Sequence, residues 1–271
     1  MTASPRYALG HSARELKRLS TQARVFEPFT RRMLQDAGVA AGMRILDVGS
    51  GTGDVAFLCA ALAGSTGEVV GLDKAAAAVD TANLRAVEAG LKNVSFLQAD
   101  AAEVTFDQPF DAIVGRLVLM HQAQPSALLR RLARYLRPDG IVAFQEFDLA
   151  AARSCPPSRT YDQCLRWMAA AFTATGTNVG MGPQLYSTFV DAGLPEPAMS
   201  LDAGIWGGEG PAATLVTEVM RSLLPVLPKF GIATEAEVEI DSLEDRLRME
   251  ITSTRGVAIS PSLIGARTRV P

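Results

Sequence analysis

The stretch Ile45-Leu46-Asp47-Val48-Gly49-Ser50-Gly51-Thr52-Gly53-Asp54 decides the reading of this chain. A short apolar run stops at three glycines spaced by two, and Asp54-Val55-Ala56-Phe57-Leu58-Cys59-Ala60 then reads as a helix start. Strand, glycine turn and helix together bring backbone N–H groups and a helix N-terminus against a nucleotide-like ligand. Glycine suits the turn because a missing Cβ allows unusual φ/ψ and close ligand approach. A dinucleotide fits poorly. Its G-x-G-x-x-G/A fingerprint asks for Gly or Ala three residues after Gly51, where this chain has Asp54. Asp47 and Asp54 also put carboxylates at either side of the loop, against a doubly anionic pyrophosphate. A Walker A loop fails as well, since no Gly-Lys-Ser/Thr comes after it.

Carboxylates beside a glycine loop predict a ligand with positive charge next to its nucleoside, as in S-adenosylmethionine with its ammonium and sulfonium. The competing reading of the loop alone is a structural βα turn with no ligand. The downstream segments weigh against that. Glu68-Val69-Val70-Gly71-Leu72-Asp73 is a second apolar strand ending in an acid, where such folds accept hydrogen bonds from ribose hydroxyls. Val94-Ser95-Phe96-Leu97-Gln98-Ala99-Asp100-Ala101 predicts a third strand, with Asp100 placed for an adenine amino group. Phe110 to Arg116 is a fourth, running into Leu117-Val118-Leu119-Met120-His121, and Leu136 to Glu146 is a turn and a fifth.

In these five ordered segments the chain resembles the class I S-adenosylmethionine-dependent methyltransferases, in the UbiE-type and small-molecule branch. The resemblance rests on Asp47 to Gly53, Asp73, Asp100-Ala101, Phe110-Asp111 and Leu136-Arg137-Pro138-Asp139-Gly140, and is strongest over about residues 40–150. It implies an α/β fold: a Rossmann-like seven-stranded sheet of order 3-2-1-4-5-7-6, last strand antiparallel, with helices on both faces. It also implies S-adenosyl-L-methionine as cofactor, with Gly49, Ser50 and Gly51 against the methionine moiety and Asp73, followed by Lys74, at the ribose. Asp100 and Ala101 would frame the adenine, Arg116 would line the cofactor, and Gln22 would reach it from an N-terminal cover that also carries Tyr7 and Arg18. The expected organisation is a helical cover over 1–40, a cofactor-binding core over 41–150, a helical lid insertion over 151–195 and a C-terminal completion of the sheet over 196–271.

Periodicity predicts helices over 12–37, with Pro28 as a candidate break, and over 75–90, 125–136, 158–175, 183–192, 211–224 and 234–249. Pro197 to Trp206 reads as the sixth strand and Val257 to Val270 as the last. Hydrophobic content of 48% with 20% charged residues fits a globular chain with a sizeable core. A net charge of −3 with interspersed signs argues against a nucleic-acid partner, because no basic stripe could neutralise phosphates. Arg130, Arg131 and Arg134 read as a solvated helix face. Cys59, Cys155 and Cys164 form neither CxxC nor metal spacing, so no metal is expected, and Cys59 reads as a small core residue. With no apolar leader in Met1 to Ser12 and no bilayer-length run, the expected location is cytoplasmic with no membrane partner. Oligomeric state stays open between monomer and homodimer.

Methyl transfer from a sulfonium mainly needs alignment and exclusion of water, and a base only where the acceptor must lose a proton. His121, one of two histidines, comes after the fourth strand at the ligand-binding edge and is the candidate base; His11 is a weaker one. Glu146 and Asp148 end the fifth strand as a pair that could take a proton or bind a cation. Trp167, Phe172, Tyr186 and Trp206 are candidate pocket walls. The expected function is methylation of a small, fairly apolar molecule, such as a secondary metabolite, with oxygen slightly favoured. Rivals are a protein of this fold with non-methylating chemistry and a nicotinamide-dependent oxidoreductase, the latter opposed by Asp54. A nucleic-acid methyltransferase lacks both the basic surface and an Asn/Asp-Pro-Pro-Tyr/Phe motif.

Overall fold

Consecutive residues of the apolar runs face opposite ways, and that alternation builds two cores around one sheet. A computed structural model describes residues 13–271, with side chains from Gln22 onward. Strands β1 (Arg44–Val48), β2 (Glu68–Asp73), β3 (Val94–Gln98), β4 (Phe110–Arg116) and β5 (Leu136–Asp148) run parallel. The sheet is completed by β7 (Ala198–Asp202) and β10 (Ser262–Arg269), in the order β3-β2-β1-β4-β5-β10-β7. As the seventh strand of this sheet along the chain, β10 is antiparallel to both neighbours. That is the expected 3-2-1-4-5-7-6 order.

Helices α1 (Ala13–Asp36) and α2 (Asp54–Ala63) cover one face, where Leu34, Leu58 and Cys59 bury Ile45, Val69, Ala112 and Ala143. The next residues along the same strands, Leu46, Ile113 and Phe144, point the other way, onto Leu129 of α4 (Pro125–Ala133) and Phe189 of α6 (Met181–Asp191). Burial on both faces explains why β1 and β4 are nearly continuous apolar runs. Helix α3 (Ala76–Glu88) packs on β2 and β3.

Beyond β5 the chain builds a third core of its own. Tyr161, Leu165 and Met168 of α5 (Arg159–Ala174) meet Val216 and Met220 of α7 (Ala212–Leu223) and Leu243, Leu247 and Ile251 of α9 (Ile240–Ser253). Glu250 locks this bundle, accepting hydrogen bonds from Ser158 Oγ and the amides of Arg159 and Thr160 at the start of α5. A small second sheet, β6 (Arg153–Cys155), β9 (Val257–Ile259) and β8 (Ile205–Trp206), lies beside it.

Several sequence expectations need correction. Helix α1 runs unbroken through Pro28, whose ring is solvent-exposed while Phe26, Thr30, Met33 and Leu34 anchor both sides. The expected strand over 197–206 divides at Gly204, which exchanges hydrogen bonds with Ser260 (2.9 Å each way). The expected strand over 257–270 divides at Ser260-Pro261, and in both cases the shorter piece goes to the small sheet. The helix over 234–249 is broken at Glu239, in a left-handed conformation (φ 48), into α8 (Glu235–Val238) and α9. Arg130 and Arg131 are not simply solvated: they donate to the carbonyls of Ala192 and Val104, tying α4 to its neighbours.

Candidate cofactor and acceptor site

The C-terminal ends of β1, β2, β3 and β4 open into one cavity of about 660 Å³. The glycine loop after β1 forms its floor. Gly51 has φ 52, and a Cβ built there would meet nothing within 4 Å, so the backbone faces open cavity. At Gly49 (φ 65) a Cβ would lie 2.6 Å from Val118 Cγ2, so the loop and the turn after β4 touch directly.

Asp73 ends β2 and shapes that floor. One carboxylate oxygen accepts from the Gly51 amide and the other from the Ala75 amide, both at 2.9 Å. The Ser50 amide donates to the Leu72 carbonyl at 2.9 Å, fixing the loop to β2. Arg85 holds it from behind, donating to the Thr52 carbonyl (2.5 Å) and to Asp54 (2.8 Å).

The electrostatics of the loop therefore differ from the sequence expectation. Asp54 is paired with Arg85. Asp47 is buried beneath the loop, and burial pushes its carboxyl up to about 8, against the lowering influence of nearby Arg116. Neither presents an open carboxylate to a cation. Of the acids that line the cavity, Asp54 is in an ion pair, and Asp73 and Asp100 are in none among the described residues.

Gly49, Ser50, Gly51, Asp73, Lys74, Asp100, Ala101, Arg116 and Gln22 all line this one cavity. Arg116 also donates to Thr30 Oγ1 at 3.0 Å, and its guanidinium is shifted down by burial. The Asp100 side chain accepts from the Ala102 amide at 2.8 Å, which sets the turn after β3. Tyr7, His11 and the side chain of Arg18 lie outside the described residues.

His121 lines the same cavity from the turn after β4. Its Nδ1 lies 3.4 Å from Thr177 Oγ1, in the connector between α5 and α6. Burial first, and the charge of Lys74 second, push its imidazole down to about 4, so the ring is neutral near pH 7. Glu146 and Asp148, by contrast, do not line the cavity. Glu146 is fully buried and accepts the amides of Val118, Leu119 and Met120. Asp148 caps the turn after β5 by accepting from the Ala150 amide. Strand alternation sends Glu146 to one side and Phe147 to the other, and only Phe147 reaches the cavity.

Among the candidate pocket walls, Phe172 is in the lining. Trp167 and Trp206 pack on the bundle core, and Tyr186 is largely exposed. Every lining residue that the chain supplies from β5 onward is apolar: Phe147, Leu149, Met168, Phe172, Val179, Val219 and Pro261. These come from separated segments, so no local motif could have flagged them. The connector holds the wall to the sheet, since the Asn178 amide donates to the Met120 carbonyl (2.8 Å) and the Leu149 amide to that of Val179 (2.9 Å). Among the described residues no group of three or more His, Cys, Asp or Glu is arranged to hold a metal ion, and no helix is long and apolar enough to cross a membrane.

The methyltransferase-domain family model matches residues 40–193. The ubiquinone/menaquinone biosynthesis C-methyltransferase UbiE of Pseudomonas aeruginosa is 33% identical over 141 residues, 51% of this chain and 53% of that protein. The chain thus aligns with about half the length of such relatives. Among solved structures, a putative methyltransferase from Bacillus halodurans superposes with a TM-score of 0.59 at 17% identity, over 89% of this chain and 98% of that one. YcgJ from Bacillus subtilis does so at 0.57 and 19%, with the same coverage; at such identities the likeness concerns the fold. The chain belongs to the methyltransferase-domain family, among the class I enzymes that depend on S-adenosylmethionine.

The residues present fit that cofactor. Ser50 Oγ is buried with no hydrogen-bond partner among the described residues, and it lines the cavity. The bare Gly51 backbone lies beside it with space above.

Proposed function

We propose that this methyltransferase acts on a small, uncharged, largely apolar acceptor carrying an acidic hydroxyl, with His121 as the base. One observation carries the reading: the lining contributed from β5 onward is wholly apolar, while every charged lining residue, from Asp54 to Arg131 of α4, comes from earlier in the chain. A charged acceptor would lose its hydration against such a wall without gaining a partner. An apolar ring would gain about 25 cal/mol for each Å² it buries.

In this reading Asp73 takes the ribose hydroxyls, Asp100 and Ala101 bracket the adenine, and Ser50, Gly51, Arg116 and Gln22 surround the methionine end. When bound, S-adenosylmethionine supplies an electrophilic methyl group whose leaving group is a neutral thioether. The apolar wall orients the acceptor and excludes water. His121, neutral near pH 7, takes the hydroxyl proton at Nε2 while Nδ1 stays with Thr177. Oxygen is the favoured nucleophile. Loss of the same proton also activates a ring carbon, the kind of atom named for the UbiE relatives.

The test offers methyl-labelled cofactor with phenols and enols on one side and amines and carboxylic acids of equal size on the other. Label should enter the hydroxylated compounds alone, and NMR of the product assigns oxygen or carbon. His121→Gln should slow transfer by about 10²-fold, the low end for a placed base because an imidazole pushed down to about 4 is a weak one, without weakening S-adenosylhomocysteine binding. Equal transfer to amines, or a fully active variant, overturns the reading.

A further inference from the structure

We propose that Glu146 is a positioning residue for this reaction: from inside the sheet it fixes the turn 117–121 and thereby the seat of His121. The inference rests on the reading of His121 as the group that meets the acceptor.

Glu146 sits on β5 opposite Ile264 of β10, fully buried and outside the cavity lining. Its Oε1 accepts from the Val118 amide at 2.9 Å and the Leu119 amide at 2.6 Å, and its Oε2 from the Met120 amide at 3.3 Å. Three successive amides converge on one carboxyl group only if the chain folds tightly around it. Leu117, just before them, sits at φ 58, a left-handed conformation that a leucine rarely adopts. Its own amide donates to the Gln145 carbonyl at 2.8 Å. His121 comes directly after the third clamped amide, and its own amide donates to the Val118 carbonyl at 3.1 Å. No residue intervenes to absorb a change in the turn.

The connector 177–178 holds the same turn from the other side, through Met120 O and His121 Nδ1. The imidazole is thus set between a carboxyl group within the sheet and a hydroxyl from the bundle. Burial raises the Glu146 carboxyl to about 7 in spite of the three donors, so the group is expensive to keep there. A glutamine can offer only one oxygen, and its NH₂ must face a backbone donor.

Histidine-selective ¹⁵N NMR tests this without knowledge of the acceptor, because the chain has two histidines and His121→Ala identifies the relevant signals. In Glu146→Gln, with its far-UV spectrum and S-adenosylhomocysteine affinity near those of the parent, the His121 nitrogens should shift toward a tautomer mixture. The titration midpoint should move by about half a pH unit or more. Unchanged shifts and midpoint in the folded variant overturn the proposal. Should the variant fail to fold, amide exchange in the unaltered protein decides. Strong protection of Val118, Leu119 and Met120 supports the clamp, whereas exchange as fast as in exposed loops refutes it. Failure of the underlying reading shows separately, as undiminished methyl transfer by His121→Gln.

Discussion

Replacing Asp73 by alanine tests the whole cofactor half at one atom pair. Its two carboxylate oxygens each hold a backbone amide at 2.9 Å, one from Gly51 in the loop and one from Ala75 before α3. The proposed ribose hydroxyls share those oxygens. Alanine leaves the ribose and the Gly51 amide without their acceptor, and a polar group stripped of its partner in a largely buried site loses about 1–3 kcal/mol. At 1.4 kcal/mol per tenfold, cofactor affinity should fall by about 5- to 150-fold. Asparagine, which keeps one carbonyl oxygen, should fall between parent and alanine. Calorimetry with S-adenosylhomocysteine and with its 2′-deoxy analogue separates ribose contact from loop support. The missing hydroxyl should weaken binding to the parent, yet add little in Asp73→Ala, because the partner is already gone. Binding by the alanine variant within twofold of the parent, or an equal deoxy penalty in both proteins, would falsify the placement of the ribose.

Gly51→Val should abolish calorimetric binding of S-adenosylhomocysteine while the circular dichroism stays native, because the new side chain enters open cavity rather than packed atoms; its left-handed φ should also lower the melting temperature, by about 1–2 kcal/mol of strain. Asp47, raised to about 8, and Glu146, raised to about 7, keep protons in the native state that the unfolded chain has already released. Their contribution is therefore full below about pH 4 and is lost as pH rises toward 7 and 8. Asp47→Asn should make the fall in stability across that window shallower in urea titrations; an unaltered slope refutes the assignment. Met220→Ala, at a fully buried position of the bundle core, should cost about 2–5 kcal/mol. Amide exchange should rise in α5, α7 and α9 with cofactor affinity nearly unchanged, and uniform loosening of the sheet would show the cores are not separable.

The cofactor half was legible because each of its signals is local. A strand that ends in Gly49-Ser50-Gly51, or in Asp73, declares both its geometry and its chemistry within a few residues, and the five segments recur in order. The sheet order was implied by the family that these segments resemble. The apolar wall of the cavity was not legible, because Phe147, Met168, Phe172 and Val219 converge from β5, α5 and α7, and nothing in a single sequence distinguishes them from core residues such as Leu165 or Met220. Trp167 and Trp206 show the ambiguity from the other side: bulky, apolar and near the bundle, yet packed on its core. Local charge also misled. Asp47 and Asp54 sit at the loop in sequence, but Arg85, more than thirty residues on, neutralises one and burial largely protonates the other. The acids at either side of the glycines thus do not act as the open carboxylates that their place in the sequence suggested.

The turn after β4 is where these separate parts become one machine. Val118 presses on Gly49 of the cofactor loop, the Met120 carbonyl receives the bundle connector, and His121 lines the cavity, all within four residues. Each contact alone would constrain the chain only loosely. Together they demand a backbone path that a leucine at φ 58 would not otherwise take, at a cost of about 1–3 kcal/mol. Strain of that size persists only where surrounding bonds over-determine it, and the three amides gathered by Glu146 supply them. A looser turn would fold as well and cost less. It would not, however, hold the cofactor loop, the bundle and an imidazole in fixed relation. An in-line transfer needs that relation held, because its rate depends on the acceptor meeting the methyl group at one angle.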